Sequence, residues 1–112
     1  MGWAVIAFGY IEFAEGIDLS PDELETTKEL FRKDIGDYSC HEIFYNCTFD
    51  KGYISFMMEG NKGIDNTPLE LICEEIKKFG KKFECFTNEF SESGEGFYYD
   101  SSESHREIIK KV

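Results

Sequence analysis

Basic residues are missing from two long stretches of this chain. Residues 1–27 contain no lysine or arginine beside six acids, Glu12, Glu15, Asp18, Asp22, Glu23 and Glu25. Residues 83–105 contain none beside six more, Glu84, Glu89, Glu92, Glu95, Asp100 and Glu103. Over the 112 residues, 12 bases against 23 acids leave a formal charge of −11. A field of that sign repels phosphate and anionic lipid, so no direct nucleic-acid binding and no membrane adsorption are expected. A basic protein surface is the complementary partner.

Long apolar runs are also lacking. No stretch approaches the roughly 20 residues needed to span a bilayer. The N-terminal apolar run has no basic residues before it and has strand character, so it is not read as a signal peptide, and the expected location is the cytoplasm. No Cys-x-x-Cys pair occurs: Cys40, Cys47, Cys73 and Cys85 are scattered through apolar segments, as core thiols are. A disulfide framework would need a secreted context. Zinc would need Cys40 and Cys47 together with His41 or His105. An odd separation puts those two cysteines on opposite faces of one strand, so neither metal nor cofactor is expected.

A catalytic set is absent as well. Neighbours in a strand face opposite ways, so Cys40 and His41 do not make a nucleophile–base pair. Gly60-x-x-Gly63 lacks the Lys-Ser/Thr of a phosphate-binding loop, and no serine sits in a nucleophile elbow. Glu74-Glu75 lies on a solvated helix face. The chain is not expected to be an enzyme.

Apolar patterning is what the sequence does have. Hydrophobic residues make up 41% and aromatics 16%, which specifies a folded globule and, at this length, a single domain over 1–112. Residues 1–100 form its core, and 101–112 a C-terminal extension that reads equally as helix, edge strand or frayed end. Trp3 to Phe13 is β-branched and aromatic on both alternating sets of positions, the pattern of an inner strand. Ser20-Pro21-Asp22-Glu23 is a capping box opening a helix to about Lys33, closed by Gly36. Ser39 to Phe49 alternates as a second strand. Asp50-Lys51-Gly52 is a hairpin turn into a third strand, Tyr53 to Glu59. Thr67-Pro68-Leu69-Glu70 repeats the capping pattern. It begins a helix that buries Leu69, Ile72, Cys73, Ile76 and Phe79 and ends at Gly80. A fourth strand covers Lys81 to Phe90 and a short fifth covers Phe97 to Tyr99.

The order β-α-β-β-α-β specifies an α+β fold, the ferredoxin-like split β-α-β sandwich. Its four-stranded antiparallel sheet carries two helices on one face, here with a C-terminal fifth strand or extension. Helices cover only one face, so the second apolar face of the first strand calls for the C-terminal extension, a twin subunit or a target protein. The third strand, Lys51-Gly52-Tyr53-Ile54-Ser55-Phe56, distantly resembles the aromatic strand of RNA-binding sheets, but the charge opposes that use.

Both acid-rich blocks fall on neighbouring strands of this fold, interleaved with Tyr10, Phe90, Phe97, Tyr98 and Tyr99. Protein interfaces anchor on such aromatics. The expected contact residues are Glu12, Glu15, Asp18, Glu84, Glu89, Glu92, Glu95, Tyr98 and Asp100. In size, charge and architecture the chain resembles two groups of inhibitors of nucleic-acid enzymes: immunity proteins against nuclease toxins, and anti-CRISPR proteins that mimic nucleic-acid charge. No motif is shared, so no residue roles are carried over. The resemblance implies a small acidic inhibitor that blocks a basic, nucleic-acid-handling enzyme by steric and electrostatic occlusion. The alternative is a homodimeric ferredoxin-like regulatory or ligand-binding module.

Overall fold

The computed structural model describes residues 4–61, 63–90, 95–102 and 106–110, with backbone alone for residue 95 and residues 106–110. Strand β1, Ala4–Phe13, is hydrogen-bonded along both edges: to β5 (Tyr53–Asn61) on one side and to β6 (Phe83–Glu89) on the other, both antiparallel. With β4 (Phe44–Phe49), β7 (Glu95–Asp100) and β8 (Arg106–Lys110), these make one sheet in the order β4-β5-β1-β6-β7-β8. The protein is therefore α+β with an antiparallel main sheet in which β7 contains the short fifth strand expected over Phe97 to Tyr99 and β8 is a sixth. Two strands are added beyond β6, and residues 106–110 take the edge-strand option for the C-terminal segment.

The pleat divides β1 into two chemically different faces. Ala7, Gly9, Ile11 and Phe13 are buried; Ala4, Phe8 and Glu12 are exposed. In register with the buried set lie Met58, Phe56 and Ile54 of β5, and Thr87, Cys85 and Phe83 of β6. Phe97 and Tyr99 of β7 continue that face.

Helix α1, Pro21–Leu30, starts with the capping box read from its sequence. The Glu23 N–H donates to Ser20 Oγ (3.1 Å) and the Ser20 N–H to Glu23 Oε1 (2.8 Å). The helix ends three residues before Lys33, and Phe31 at its C-cap drives into the core. The Phe31 ring meets Phe44, Phe49 and Phe56 at centroid separations of 5.0, 5.6 and 5.3 Å.

Residues 34–49 depart from the single strand expected over 39–49. Asp34–Ile35 (β2) and Tyr38–Ser39 (β3) form a small hairpin whose turn contains Gly36 at φ 58°. Gly36 therefore serves this turn and does not close α1. Cys40–Ile43 (α2) is one helical turn, and only then does β4 begin. The alternation expected within β4 also breaks. Phe44 and Phe49 are an odd number of residues apart, yet both pack on Phe31. A bulge between Tyr45 and Thr48, with Asn46 at φ 51°, inserts the extra residue that restores the face.

Helix α3, Thr67–Lys77, buries Leu69, Ile72, Cys73 and Ile76 as its spacing predicts, with Phe79 half-buried beyond its end. The expected second capping box is not formed. Thr67 is already helical and Asn66, at the N-cap, makes no side-chain cap bond; Asp65 Oδ1 accepts the Thr67 N–H at 2.9 Å. Helices α1 and α3 lie on the buried sheet face, as contacts of Phe31 with Phe56 and of Glu74 with Tyr99 require.

Gly9 is the tightest point of this arrangement. A Cβ there would come within 2.6 Å of the Phe56 ring and 2.8 Å of Thr87 Cγ2. Phe56 is fully buried against Phe31 and Phe44, so it has no room to yield. Gly9→Ala is predicted to destabilise by about 1–3 kcal/mol, the usual cost of overpacking a core. Urea unfolding of the two proteins measures this, and an unchanged midpoint would contradict the packing described.

Candidate functional site

The face of the sheet opposite the helices has no covering element among the described residues. Its side chains form rows that run across the strands in register. One row is Ser55, Tyr10, Phe86 and Tyr98; the next is Tyr53, Glu12, Glu84 and Asp100. The rings of the two rows join into one band. Tyr53 stacks on Tyr10 at 5.6 Å and 18°, Tyr10 meets Phe86 at 5.4 Å, and Phe86 meets Tyr98 at 4.8 Å. Four aromatic side chains on four adjacent strands thus form a continuous strip, with Tyr53 38% exposed.

On the other side of the strip, Phe8 is 40% exposed and stands opposite Met57 and Asn88. Asn88 in turn pairs with Gly96. Glycine offers no side chain on β7 at that level. The gap opens a depression of about 340 Å³ between Phe8, Tyr10, Phe86 and Asn88.

Glu12, Glu84 and Asp100 are the notable row. Directly opposed like charges on adjacent strands destabilise a sheet. Here two such pairs stand side by side, Glu12–Glu84 and Glu84–Asp100. Part of the charge is held by local donors. Asp100 Oδ1 accepts the Ser102 N–H (2.9 Å) and hydroxyl (2.7 Å), and these bonds, the backbone one foremost, lower the Asp100 pKa. The Tyr98 hydroxyl donates to Asp100 Oδ2 at 3.1 Å and lies 3.4 Å from Glu84 Oε1. Desolvation, then the Asp100 hydrogen bond and charge, push Tyr98 up to about 12. Tyr10 is also raised, by desolvation and then by Glu12.

Of the residues expected to form the contact surface, Glu12, Glu84, Tyr98 and Asp100 are brought together on this face. Glu15 is exposed just past β1 and lines a second depression of about 430 Å³ with Glu12, Lys82 and Glu84. Asp18 lies apart, paired with Lys51 at 3.5 Å, while its carbonyl accepts from Lys81 at 2.8 Å. Glu89 is on the helix-covered side: in register with Ala7, it accepts the Ile64 N–H at 3.1 Å and ties down the loop before α3. Glu92, Trp3 and His105, and the side chain of Glu95, fall outside the described residues.

Two aromatics expected at the interface, Phe97 and Tyr99, are 1% and 4% exposed and belong to the core. The Tyr99 hydroxyl bonds Glu74 of α3. Phe90 is exposed at the end of β6. The sequence reading missed Phe8, Tyr53 and Phe86 as members of the surface. The parity that puts Glu84 outside also puts Phe86 outside, and that signal was present.

Among the described residues, no group of three or more His, Cys, Asp and Glu side chains is arranged to hold a metal. Cys40 is buried while His41 is exposed. Burial raises the Cys40 thiol to about 11 and the Cys73 thiol well above its ordinary range. Among the described residues, no helix is long and apolar enough to cross a membrane.

Because the folded state holds Tyr98 protonated, its contribution to stability is complete below pH 10 and is lost as pH rises towards 12. Asp100→Asn removes a charge that opposes ionisation, so it is predicted to bring Tyr98 back towards 10. Carbon-13 NMR titration of the ring reads this directly. A Tyr98 that titrates near 10 in the unsubstituted protein would contradict the hydroxyl–carboxylate geometry. Comparison with protein-family models, with curated proteins and with solved structures finds no match to this chain.

Proposed function

We propose that the chain is an acidic protein-binding inhibitor whose open sheet face occludes a basic, nucleic-acid-handling enzyme. It would act in the manner of immunity or anti-CRISPR proteins. The observation that carries this reading is the in-register row Glu12, Glu84 and Asp100 beside the four-ring strip. Opposed carboxylates cost folding stability; Lys82, near Asp100 and lining the neighbouring depression with Glu12 and Glu84, offsets part of that cost within the chain, and a cationic partner would offset more of it in a complex. Aromatic rings at the centre of a surface and charges at its margin are the usual layout of a protein interface.

The same strip without the acids would suit stacked nucleobases, since RNA-binding sheets use this face. Three carboxylates at its margin and a net charge of −11 weigh against phosphate approaching it. The reading includes no catalytic step. It also takes the architecture to be a ferredoxin-like split β-α-β sheet, β4-β5-β1-β6, extended by β7 and β8; the strand order and the one-sided helices support that. The exposure of Phe8 and Tyr53 favours a second reading, in which a twin copy covers the face and the chain is a homodimeric module.

The test is inhibition and binding across a panel of basic nucleases and nucleic-acid-guided enzymes, measured against ionic strength. The account predicts affinity that falls steeply with salt. It also predicts that Glu12→Lys, Glu84→Lys and Asp100→Lys together slow association by roughly tenfold or more at low salt, with little effect at high salt. A complex indifferent both to salt and to these three reversals would exclude this face as the charged contact.

A further inference from the structure

The ring strip and the acid row are one step apart on each of three strands: Tyr10 and Glu12, Phe86 and Glu84, Tyr98 and Asp100. Two residues along a strand span about 7 Å on one face. Tyr10, Phe86 and Tyr98 therefore each have a carboxylate-bearing position beside them on their own strand, Tyr53 has Glu12 opposite it on β1, and both features select the same kind of ligand. Ring faces carry negative potential and attract cations. Carboxylates attract them by charge.

Between the two basic side chains, the face discriminates. Lysine's ammonium is compact and strongly hydrated, so it gains mainly from the carboxylates. Arginine's guanidinium is planar and weakly hydrated; it can lie flat on a ring while its outward N–H fork reaches the neighbouring carboxylate. On this basis we infer that the partner presents arginine, not lysine, to the open face, with guanidinium groups stacked on Tyr10 and Phe86 and forked to Glu12 and Glu84. This rests on the protein-docking reading and specifies the chemistry of the docked segment. Charge complementarity between the acid row and a basic segment selects this occupant over a second copy of the chain, which is itself strongly acidic.

The probes are two short unstructured peptides of equal charge, one with arginine as its only basic residue and the other with lysine, titrated into the full chain at low ionic strength. Affinity and the aromatic-ring NMR signals are followed together. The inference predicts roughly tenfold tighter binding of the arginine peptide. It also predicts shifts of the Tyr10, Phe86 and Tyr98 rings, and loss of the arginine advantage in Phe86→Leu with lysine-peptide affinity retained. Tyr10→Leu provides the same test should Phe86→Leu fold poorly. Equal affinities for the two peptides would overturn the arginine inference and leave a charge-driven docking face standing. An arginine advantage that survives both leucine variants, with the rings unmoved, would also overturn it. Binding of neither peptide would remove the docking reading with it.

Discussion

The double pairing of β1 is the constraint on which the rest of the structure depends. Its register with β5 and β6 sets which side chains stand beside which on both faces at once. On the helix side that register places Gly9 against Phe56 and Thr87, and a methyl group would not fit there. On the open side it places Tyr10 between Ser55 and Phe86, and Glu12 between Tyr53 and Glu84. Slipping either neighbour by one residue would turn its buried set outward and its acids inward. The core therefore fixes the composition of the exposed surface, although no surface residue contributes to the core.

Electrostatically, the two faces serve different ends. Three acids on the helix side have local partners: Glu23 is bonded to Ser20 and Lys81, Asp65 accepts the Thr67 amide at the start of α3, and Glu89 holds the Ile64 amide. Such carboxylates are structural, and their charge is balanced at short range. The row on the open side is different in kind. Asp100 has Ser102, the Tyr98 hydroxyl and the charge of Lys82, and Glu84 has a longer bond from Tyr98, but Glu12 and Glu84 still face one another across adjacent strands. Such arrangements cost stability, and under the proposed function a cationic partner would convert that cost into affinity.

Much of this was legible in the chain before the structure. The Ser20 capping box, the α3 spacing and the inner position of β1 rest on local pattern alone, and local pattern is what a sequence displays. The bulge at Asn46 was not legible, because asparagine in the left-handed region leaves no pattern until its neighbours' faces are known. The turn at Cys40–Ile43 was hidden because four residues are too few to break the apolar alternation around them. Glu89 illustrates an available signal left unused: it shares parity with Phe83, Cys85 and Thr87, which go inward. The acid row itself needs register across three strands. No single segment contains that information, so the twelve acids of the two blocks looked alike until strand pairing separated Glu12, Glu84 and Asp100 from Asp18 and Glu89.

The central claim is that the Tyr53–Tyr10–Phe86–Tyr98 strip is open in the isolated chain and closes only against a partner. Broadening of ring NMR signals by a soluble paramagnetic agent, recorded on a sample whose mass is measured in parallel, tests it directly. The account predicts a monomer in which Phe8, Tyr53 and Phe86 are strongly broadened while Phe31, Phe56 and Phe83 are protected. Protection of the strip in the free protein would contradict it, and a doubled mass would then assign the covering to a second copy of the chain.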